Sequence, residues 1–200
     1  MQVGVLALQG GFAEHVRLLQ QLGVQTRLVR LPSDLDHLSG LIIPGGESTV
    51  MGKLALASGL MEPLRVFAHQ RAVWGSCAGA IFMARNVDHV QPVLGLMDIA
   101  VERNAFGRQA ASFRQAIDIS RLAPRVDTTL AFPGIFIRAP KIQPLAKDAE
   151  VLAELSDGSV VAVRQGKWLA TAFHPELTDD ARWHDYFLAD CRDQPEFNPG

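Results

Sequence analysis

The chain is poor in cysteine, because only Cys77 and Cys191 occur among its 200 residues and they lie far apart in different sequence contexts. A small secreted domain held together by disulfides carries more cysteines at closer spacing. We therefore expect a reducing, cytoplasmic setting. Cys191 lies in a polar C-terminal segment without neighbouring glycines, and we expect it to be a buried structural thiol.

Long apolar runs are also absent. No stretch of about 18 residues is apolar and free of charge, so we expect no membrane-spanning helix. The N-terminal run Val3–Leu8 is short, has no basic residues before it and leads into Gln9, Gly10 and Gly11 rather than a cleavage site. It predicts a first strand rather than a signal peptide.

Neither sign of charge dominates, since 19 basic and 21 acidic residues give a net charge of −2. Without a Lys/Arg block, we expect no nucleic-acid or membrane partner. We also expect no cofactor, and the sequence has no G-x-x-x-x-G-K-[ST] loop of the kind that cradles phosphates. The hydrophobic fraction of 48% suffices for one core, so we expect a single domain over residues 1–192 and a disordered tail over 193–200.

Strand-like and helix-like segments alternate through the first eighty residues. The predicted strands are 3–8, 24–29, 40–43 and 72–75, and the predicted helices are 12–22, 53–57, 61–70 and 78–84. The strands are continuous apolar runs, as in parallel sheets buried on both faces. The order predicts an α/β fold of three layers, with a mostly parallel central sheet and helices on both faces.

The second half has a different pattern. Three short extended runs, 97–101, 116–119 and 134–138, suggest an antiparallel or mixed extension of the sheet. Closing strands are predicted at 151–155, 159–164 and 168–172, with a hairpin turn at Asp157-Gly158, and a last helix at 179–191.

Cys77 follows the predicted strand 72–75 and precedes a predicted helix, with Gly75 and Gly79 two positions away on either side. A nucleophile at a sharp strand-to-helix turn needs small neighbours at these positions. A helix N-terminus also favours the thiolate form of a cysteine. A lone intracellular cysteine is usually a small buried side chain, but the G-x-C-x-G frame favours a nucleophile here.

His174 is the candidate base, because it ends an apolar run and is followed by Pro175 and Glu176. In an extended segment, residues two apart project to the same side, so the Glu176 carboxylate could orient the imidazole. A metal site or a solvated charge pair are the competing interpretations, although His-x-Glu alone lacks further ligands. The remaining histidines are expected to be ordinary surface residues, although His15 lies close to the Gln9-Gly10 loop; they are His15, His37, His69, His89 and His184.

A nucleophile elbow followed about a hundred residues later by His-Pro-Glu resembles the class I, triad-type glutamine amidotransferases, with their flavodoxin-like fold. An ordered set of motifs across nearly the whole chain is similar, more narrowly, to the glutaminase subunits of pyridoxal 5′-phosphate synthases. The motifs are Leu6–Gly10, Pro44–Thr49, Gly75–Gly79, Val101–Asn104, Phe106–Gln109, Ile137–Pro140 and Phe173–Thr178. Ser76 departs from the family pattern, in which threonine is common at that position.

The resemblance implies a role for each motif. Cys77, His174 and Glu176 would be the catalytic triad, and backbone N–H groups of Gly46 and Ala78 would form the oxyanion hole. The implied glutamine contacts are Gly46, Glu47, Ser48, Arg103, Ile137 and Arg138. A guanidinium suits the α-carboxylate of free glutamine, whereas a surface salt bridge is the alternative for either arginine.

The resemblance also implies a reaction and a partner. The enzyme would hydrolyse L-glutamine to glutamate and ammonia, and pass the ammonia to a synthase subunit that builds pyridoxal 5′-phosphate. Two alternatives remain open. One is a stand-alone amidase or γ-glutamyl hydrolase on the same fold, and the other is a catalytically silent regulatory subunit.

Overall fold

The computed structural model describes residues 1–103 and 112–192. Several sequence predictions fall outside these ranges. They are the motif residues Asn104 and Phe106–Gln109, and the tail over 193–200.

The described residues form strands and helices in alternation through the first half and mostly strands in the second. The strands are β1 Gln2–Leu6, β2 Gln25–Val29, β3 Gly40–Ile43, β4 Ala72–Ser76, β5 Ala84–Val87, β6 Met97–Glu102, β7 Ser112–Ile117, β8 Phe132–Ile137, β9 Lys141–Pro144, β10 Ala149–Glu154, β11 Val160–Gln165 and β12 Trp168–Thr171. The α-helices are α1 Phe12–Gln21, α2 Ser48–Ala57, α3 Met61–Gln70, α4 Ala78–Met83 and α5 Arg182–Arg192.

Seven strands form the central sheet, in the order β10-β11-β12-β4-β3-β1-β2. The five strands from β12 to β2 are parallel, whereas β10 and β11 pair antiparallel at one edge. The prediction of a mostly parallel sheet is therefore confirmed. Because parallel strands end at the same edge, the loops after β1, β3, β4 and β12 meet there.

Helices cover both faces of this sheet. On one face, Trp74 of β4 packs edge-on against His15 of α1 and His184 of α5. Gly75 of the same strand points to the opposite face, where it lies against Gly79 and Ala80 of α4. Neighbouring residues of a strand face opposite sides of the sheet. Helices α1 and α5 therefore form one outer layer, and α4 lies in the other.

The middle of the chain does not extend the central sheet, which corrects the prediction. Strands β5, β6 and β9 form a separate mixed sheet, and β7 pairs with β8 in a two-stranded ladder. In β8, buried and more exposed residues alternate. A strand with one wetter face does not fit inside a sheet that helices cover on both sides. Strands β5 and β9 had not been predicted.

Two predicted helix starts were wrong. α2 begins at Ser48 rather than at Lys53, because Gly52 does not interrupt it but packs closely against Pro92. α5 begins at Arg182 rather than at Asp179. The backbone N–H of Asp180 donates to Thr178 Oγ1 at 3.1 Å, and such a local side-chain bond forms a turn that competes with helix. The predicted turn at Asp157-Gly158 is confirmed between β10 and β11.

The apolar side chains of the central sheet and its helices form one buried cluster, which also includes residues of the smaller sheets. The fully buried aromatic residues include Trp74, Phe173 and Trp183. No helix of the described residues is long and apolar enough to cross a membrane.

Candidate active site

A cavity of about 290 Å³ opens at the carboxyl edge of the central sheet. Its wall comes from the loops after β1, β3, β4 and β12, together with residues from the two smaller sheets. All ten residues that the sequence singled out line this cavity: Gly46, Glu47, Ser48, Cys77, Ala78, Arg103, Ile137, Arg138, His174 and Glu176. Residues from five separate motifs therefore share one site.

Cys77 is the turn residue between β4 and α4, with φ of 48° and ψ of −105°. Positive φ is strained for any residue with a side chain, at a cost of order 1–3 kcal/mol, and such strain is common at functional sites. A Cβ at Gly75 would lie 2.5 Å from the Gly79 carbonyl, and one at Gly79 would collide with the Ile43 carbonyl oxygen. The predicted need for small residues beside the elbow is confirmed.

His174 follows β12, and its backbone N–H donates to the Ile135 carbonyl at 2.8 Å, which ties it to β8. Its Nδ1 lies 2.7 Å from Glu176 Oε1. The predicted contact is present, but the predicted extended geometry is wrong. Pro175–Leu177 is a short 3-10 helix, and this turn brings the carboxylate back toward the ring.

The protonation of His174 is set by opposing effects. Burial lowers its pKa, but hydrogen bonds to Cys77 and Glu176, together with their negative charges, outweigh burial and raise the pKa to about 10. His174 is only 8% exposed and Glu176 only 1%. The imidazole therefore holds a proton at neutral pH and lies beside the sulfur, where it can act as an acid.

The loop after β3 reaches both His174 and the loop after β1. A Cβ at Gly45 would lie 2.8 Å from His174 Nδ1, so only glycine allows this approach. The Gly45 carbonyl accepts a hydrogen bond from the Gly11 N–H at 3.0 Å. Gln9 uses both ends of its amide on Glu47, accepting from its N–H at 3.1 Å and donating to its carbonyl at 3.2 Å.

Arg103 lies at the rim of the cavity and contacts other rim residues. It donates to Glu47 Oε1 at 2.8 Å and to Thr49 Oγ1 at 3.2 Å. Its side chain is 21% exposed and that of Glu47 is 41% exposed. The salt bridge considered as an alternative for Arg103 is thus present, but its partner is itself a predicted substrate contact. A paired positive and negative group at one rim suits a zwitterionic amino acid.

The other predicted contacts lie on the remaining walls. Ser48 donates to Gln91 Oε1 at 3.1 Å, at the start of α2. Cys77 Sγ lies 3.9 Å from the Ile137 carbonyl oxygen. Arg138 follows β8 with φ of 44°, a second strained residue at the cavity. Gln9, which holds Glu47, belongs to the motif Leu6–Gly10 but had been given no role. Gln91, which holds Ser48, had not been singled out and lies in a loop without a local signal.

Two histidines that were expected at the surface are fully buried, which corrects that prediction. They are His15 on α1 and His184 on α5. His15 Nε2 lies 3.4 Å from Glu176 Oε2, directly behind the candidate triad. Helical spacing could have found both, because His15 shares a face with Leu18 and Leu19, and His184 shares one with Phe187, Leu188 and Cys191.

Cys191 is buried on α5 against Gly40 of β3. Burial raises its pKa above that of an ordinary thiol, so it stays protonated. Across residues 1–103 and 112–192, no group of three or more His, Cys, Asp or Glu side chains converges as metal ligands would.

Comparison with known proteins gives consistent matches along the chain. The model of the SNO glutamine amidotransferase family matches residues 5–193. Over 196 residues the chain is 54% identical to the pyridoxal 5′-phosphate synthase subunit PdxT of Deinococcus radiodurans, covering 94% of this chain and 96% of the relative. Over 193 residues it is 51% identical to the subunit of the same name from Herpetosiphon aurantiacus, covering 94% and 99%.

A solved structure agrees with these matches. A crystal structure described as a glutamine amidotransferase superimposes with a TM-score of 0.87 at 47% identity, covering 95% of this chain and 98% of that chain. The fold and the sequence point to the same group of proteins over nearly the full length. The chain belongs to the SNO glutamine amidotransferase family.

Proposed function

We propose that this chain hydrolyses L-glutamine to L-glutamate and ammonia, as the glutaminase subunit of a pyridoxal 5′-phosphate synthase. The observation that carries the proposal is one cavity lined by the elbow cysteine, Cys77, and by His174, whose Nδ1 lies 2.7 Å from Glu176 Oε1. An amidase with a cysteine nucleophile needs a base beside the sulfur and a group beyond the base that orients it. The curated relatives are named as subunits of that synthase.

The reaction follows from these positions. Cys77 sulfur attacks the side-chain amide carbon of glutamine, and His174 donates its proton to the amide nitrogen as the C–N bond breaks and ammonia leaves. Water then attacks the thioester, His174 accepts a proton from that water, and the C–S bond breaks to release glutamate. Both tetrahedral intermediates carry negative charge on oxygen, which the N–H groups of Ala78 and Gly46 would stabilise.

Recognition of glutamine would fall to the rim. Arg103 suits the α-carboxylate, and the Glu47 carboxylate suits the α-ammonium, so the substrate would replace part of the pair that these side chains form with each other. Ser48, the Ile137 carbonyl and Arg138 would complete the contacts around the substrate. All of them line the same cavity.

The partner is a synthase subunit that receives the ammonia. Both cysteines are unpaired, which fits a cytoplasmic protein, and we propose that residues 1–192 act as one domain within this complex. An amidase that released ammonia without its partner would waste glutamine. We therefore expect the isolated chain to be slow and the complex to be at least roughly tenfold faster, mainly through turnover.

The loop after β3 is the expected control point. Turning the Gly45-Gly46 peptide would exchange an N–H for a carbonyl at the oxyanion hole, and would break the hydrogen bond from Gly11 to Gly45. Losing one such donor costs about a hundredfold or more. In Gly46→Val, the new Cβ would lie 2.5 Å from Gln9 Nε2 and would restrict rotation of this peptide. We therefore expect the variant to bind the synthase but to be activated less by it.

The test measures steady-state glutamate release for the isolated chain and for an equimolar mixture with the synthase. Cys77→Ala, bound to the same synthase, is the control for contaminating activity. Equal turnover with and without the synthase would favour a stand-alone hydrolase. No release in either case, from a correctly assembled complex, would favour a silent regulatory subunit.

A further inference from the structure

A buried polar cluster lies behind the candidate triad, on the side of Glu176 that faces away from Cys77. It consists of His15 on α1, Ser76 at the end of β4 and His184 on α5. Each of the three is 0% exposed. Burying imidazoles and a hydroxyl costs several kcal/mol unless they are hydrogen-bonded, so the arrangement of these contacts is informative.

His15 links Glu176 to the rest of the cluster. Its Nε2 lies 3.4 Å from Glu176 Oε2 and 3.1 Å from Ser76 Oγ. Its Nδ1 lies 2.9 Å from His184 Nε2. Glu176 Oε1 faces His174, so the carboxylate lies between two imidazoles with one at each oxygen.

Both buried histidines are neutral at physiological pH. Burial lowers the pKa of His15 well below its ordinary value, and the nearby His184 and His174 lower it further. Burial, together with the positive charge of Arg17, lowers the pKa of His184 to about 3. Each ring therefore carries one N–H and one lone pair.

The contacts select one arrangement of these protons. If His15 carries its proton on Nε2, it can donate to Ser76 Oγ with the same N–H beside the Glu176 carboxylate, and its Nδ1 then accepts from His184 Nε2–H. The atom left over is His184 Nδ1, which has no hydrogen-bond partner and is then only a bare acceptor. The opposite arrangement would point a lone pair at the carboxylate and bury an unpaired N–H, which costs more.

The rings cannot turn freely to another arrangement. Trp74 of β4 packs edge-on against His15 at 5.4 Å between ring centroids and against His184 at 4.8 Å. Glu176 Oε2 has no hydrogen-bond partner among the described residues, and His15 Nε2, which is hydrogen-bonded to Ser76 Oγ, lies 3.4 Å from it. The His15 N–H is therefore a polar group beside the oxygen that His174 does not bind, in electrostatic contact with it rather than in an aligned hydrogen bond.

We propose that His15 is a positioning residue of this enzyme, which holds the Glu176 carboxylate through its Nε2–H, while His184 fixes the tautomer of His15. This inference rests on the proposed glutaminase function and extends the triad by two residues that do not touch the substrate. Without that N–H, the carboxylate can rotate, so His174 is oriented less well.

Two substitutions separate this role from simple filling of space. In His15→Gln, the side-chain amide can place an N–H near the position of Nε2, and so preserve the contact with Glu176. In His15→Asn, the amide lies near the position of Nδ1, facing His184, and cannot reach Glu176. Both variants keep a polar, uncharged group at the same buried site.

The variants are assayed as complexes with the synthase, by steady-state glutamate release. We expect kcat to fall at least about tenfold in His15→Asn and less than about threefold in His15→Gln, with KM unchanged in both. Wild-type kcat in both variants, or equal losses in both, would overturn the proposal.

A second measurement needs no variant. In the wild-type chain, ¹⁵N chemical shifts of the imidazoles report the tautomer of each histidine, and we expect Nε2–H for both His15 and His184. A proton on His15 Nδ1 would overturn the proposal even if the variants failed to fold. An inactive wild-type complex would instead refute the proposed function, and the tautomer result would still stand on its own.

Discussion

The triad and the rim of the cavity are held in different ways. Cys77, His174 and Glu176 follow the ends of central strands, and they are 6%, 8% and 1% exposed. Glu47 and Arg103 lie on a loop and at the end of a peripheral strand, with side chains 41% and 21% exposed. The triad is therefore held at the buried ends of central strands, whereas the two rim side chains, which would bind the substrate, contact each other and are more exposed to solvent.

This difference predicts how substitutions divide. Damage to the buried triad should lower kcat, since it removes groups that act in the transition state, and damage to the rim should raise KM. A substitution at the rim that lowers kcat, or a substitution in the triad that raises KM, would weaken this distinction between the triad and the rim.

The largest effect is expected for Cys77→Ala. Glutamate release should fall at least about a thousandfold, because no other group near the cavity can form the thioester. Alanine tolerates the turn as well as cysteine does, so the midpoint of thermal unfolding should stay within a few degrees. Activity within tenfold of the wild-type complex would end the assignment of Cys77 as nucleophile.

His174→Asn should be nearly as damaging, while Glu176→Gln should retain at least tenfold more activity than His174→Asn, because an orienting group contributes less than the base. Both effects should appear in kcat. The control is His69→Asn, an exposed histidine on α3 outside the cavity, and it should behave as wild type. His184, which is buried, is unsuitable for that purpose.

Sequence reasoning worked best where local pattern and fold coincide. The strand Gly40–Ile43 and the helix Met61–Gln70 were predicted with the bounds that the structure has, because apolar runs and helical spacing specify them locally. The position of Cys77 at an elbow followed from two glycines. The parallel order of the strands then brings His174 to the same edge without further information.

Some errors depend on distant neighbours, whereas others left a local signal that was not used. The extended run 134–138 identified β8 as a strand but could not say which strand pairs with it. His15 and His184 were expected at the surface although each shares a helix face with buried residues. Their burial follows from the packing of α1 beside α5, which brings together residues 169 positions apart.

At the rim, Arg103→Ala should raise the KM for glutamine by about tenfold to a hundredfold, the equivalent of roughly 1.5–3 kcal/mol for a charged hydrogen bond. Alkylation of Cys77 by a small neutral electrophile should continue, because the triad is untouched. Arg85→Ala is the matched control, since Arg85 pairs with Asp98 on the small sheet away from the cavity. An unchanged KM would leave Arg103 with only its structural pairing to Glu47.

The smallest expected effect is on the free energy of unfolding. Its pH dependence distinguishes His184, in the cluster on one side of Glu176, from His174 on the other side. The pKa of His184 falls to about 3 on folding, so between about pH 6.5 and 3 the unfolded chain binds a proton that the folded chain does not. The contribution of neutral His184 to the free energy of unfolding is therefore complete above about pH 6.5 and is lost as pH falls. The pKa of His174 is raised to about 10, so its contribution is complete below about 6.5 and is lost as pH rises through 10.

Urea unfolding at pH 7.5 and pH 5.0 should therefore resolve the buried histidine. We expect the free energy of unfolding of the wild type to lose about 2 kcal/mol more between these pH values than that of His184→Gln, since each pKa unit is worth about 1.4 kcal/mol. Comparing the two losses cancels the contribution of His174, which both proteins share. His69→Gln, which removes an exposed histidine instead, should lose as much stability as the wild type. If His184→Gln also loses as much, the folded chain takes up a proton at His184 as readily as the unfolded chain does, and burial does not hold this imidazole neutral at pH 5.0.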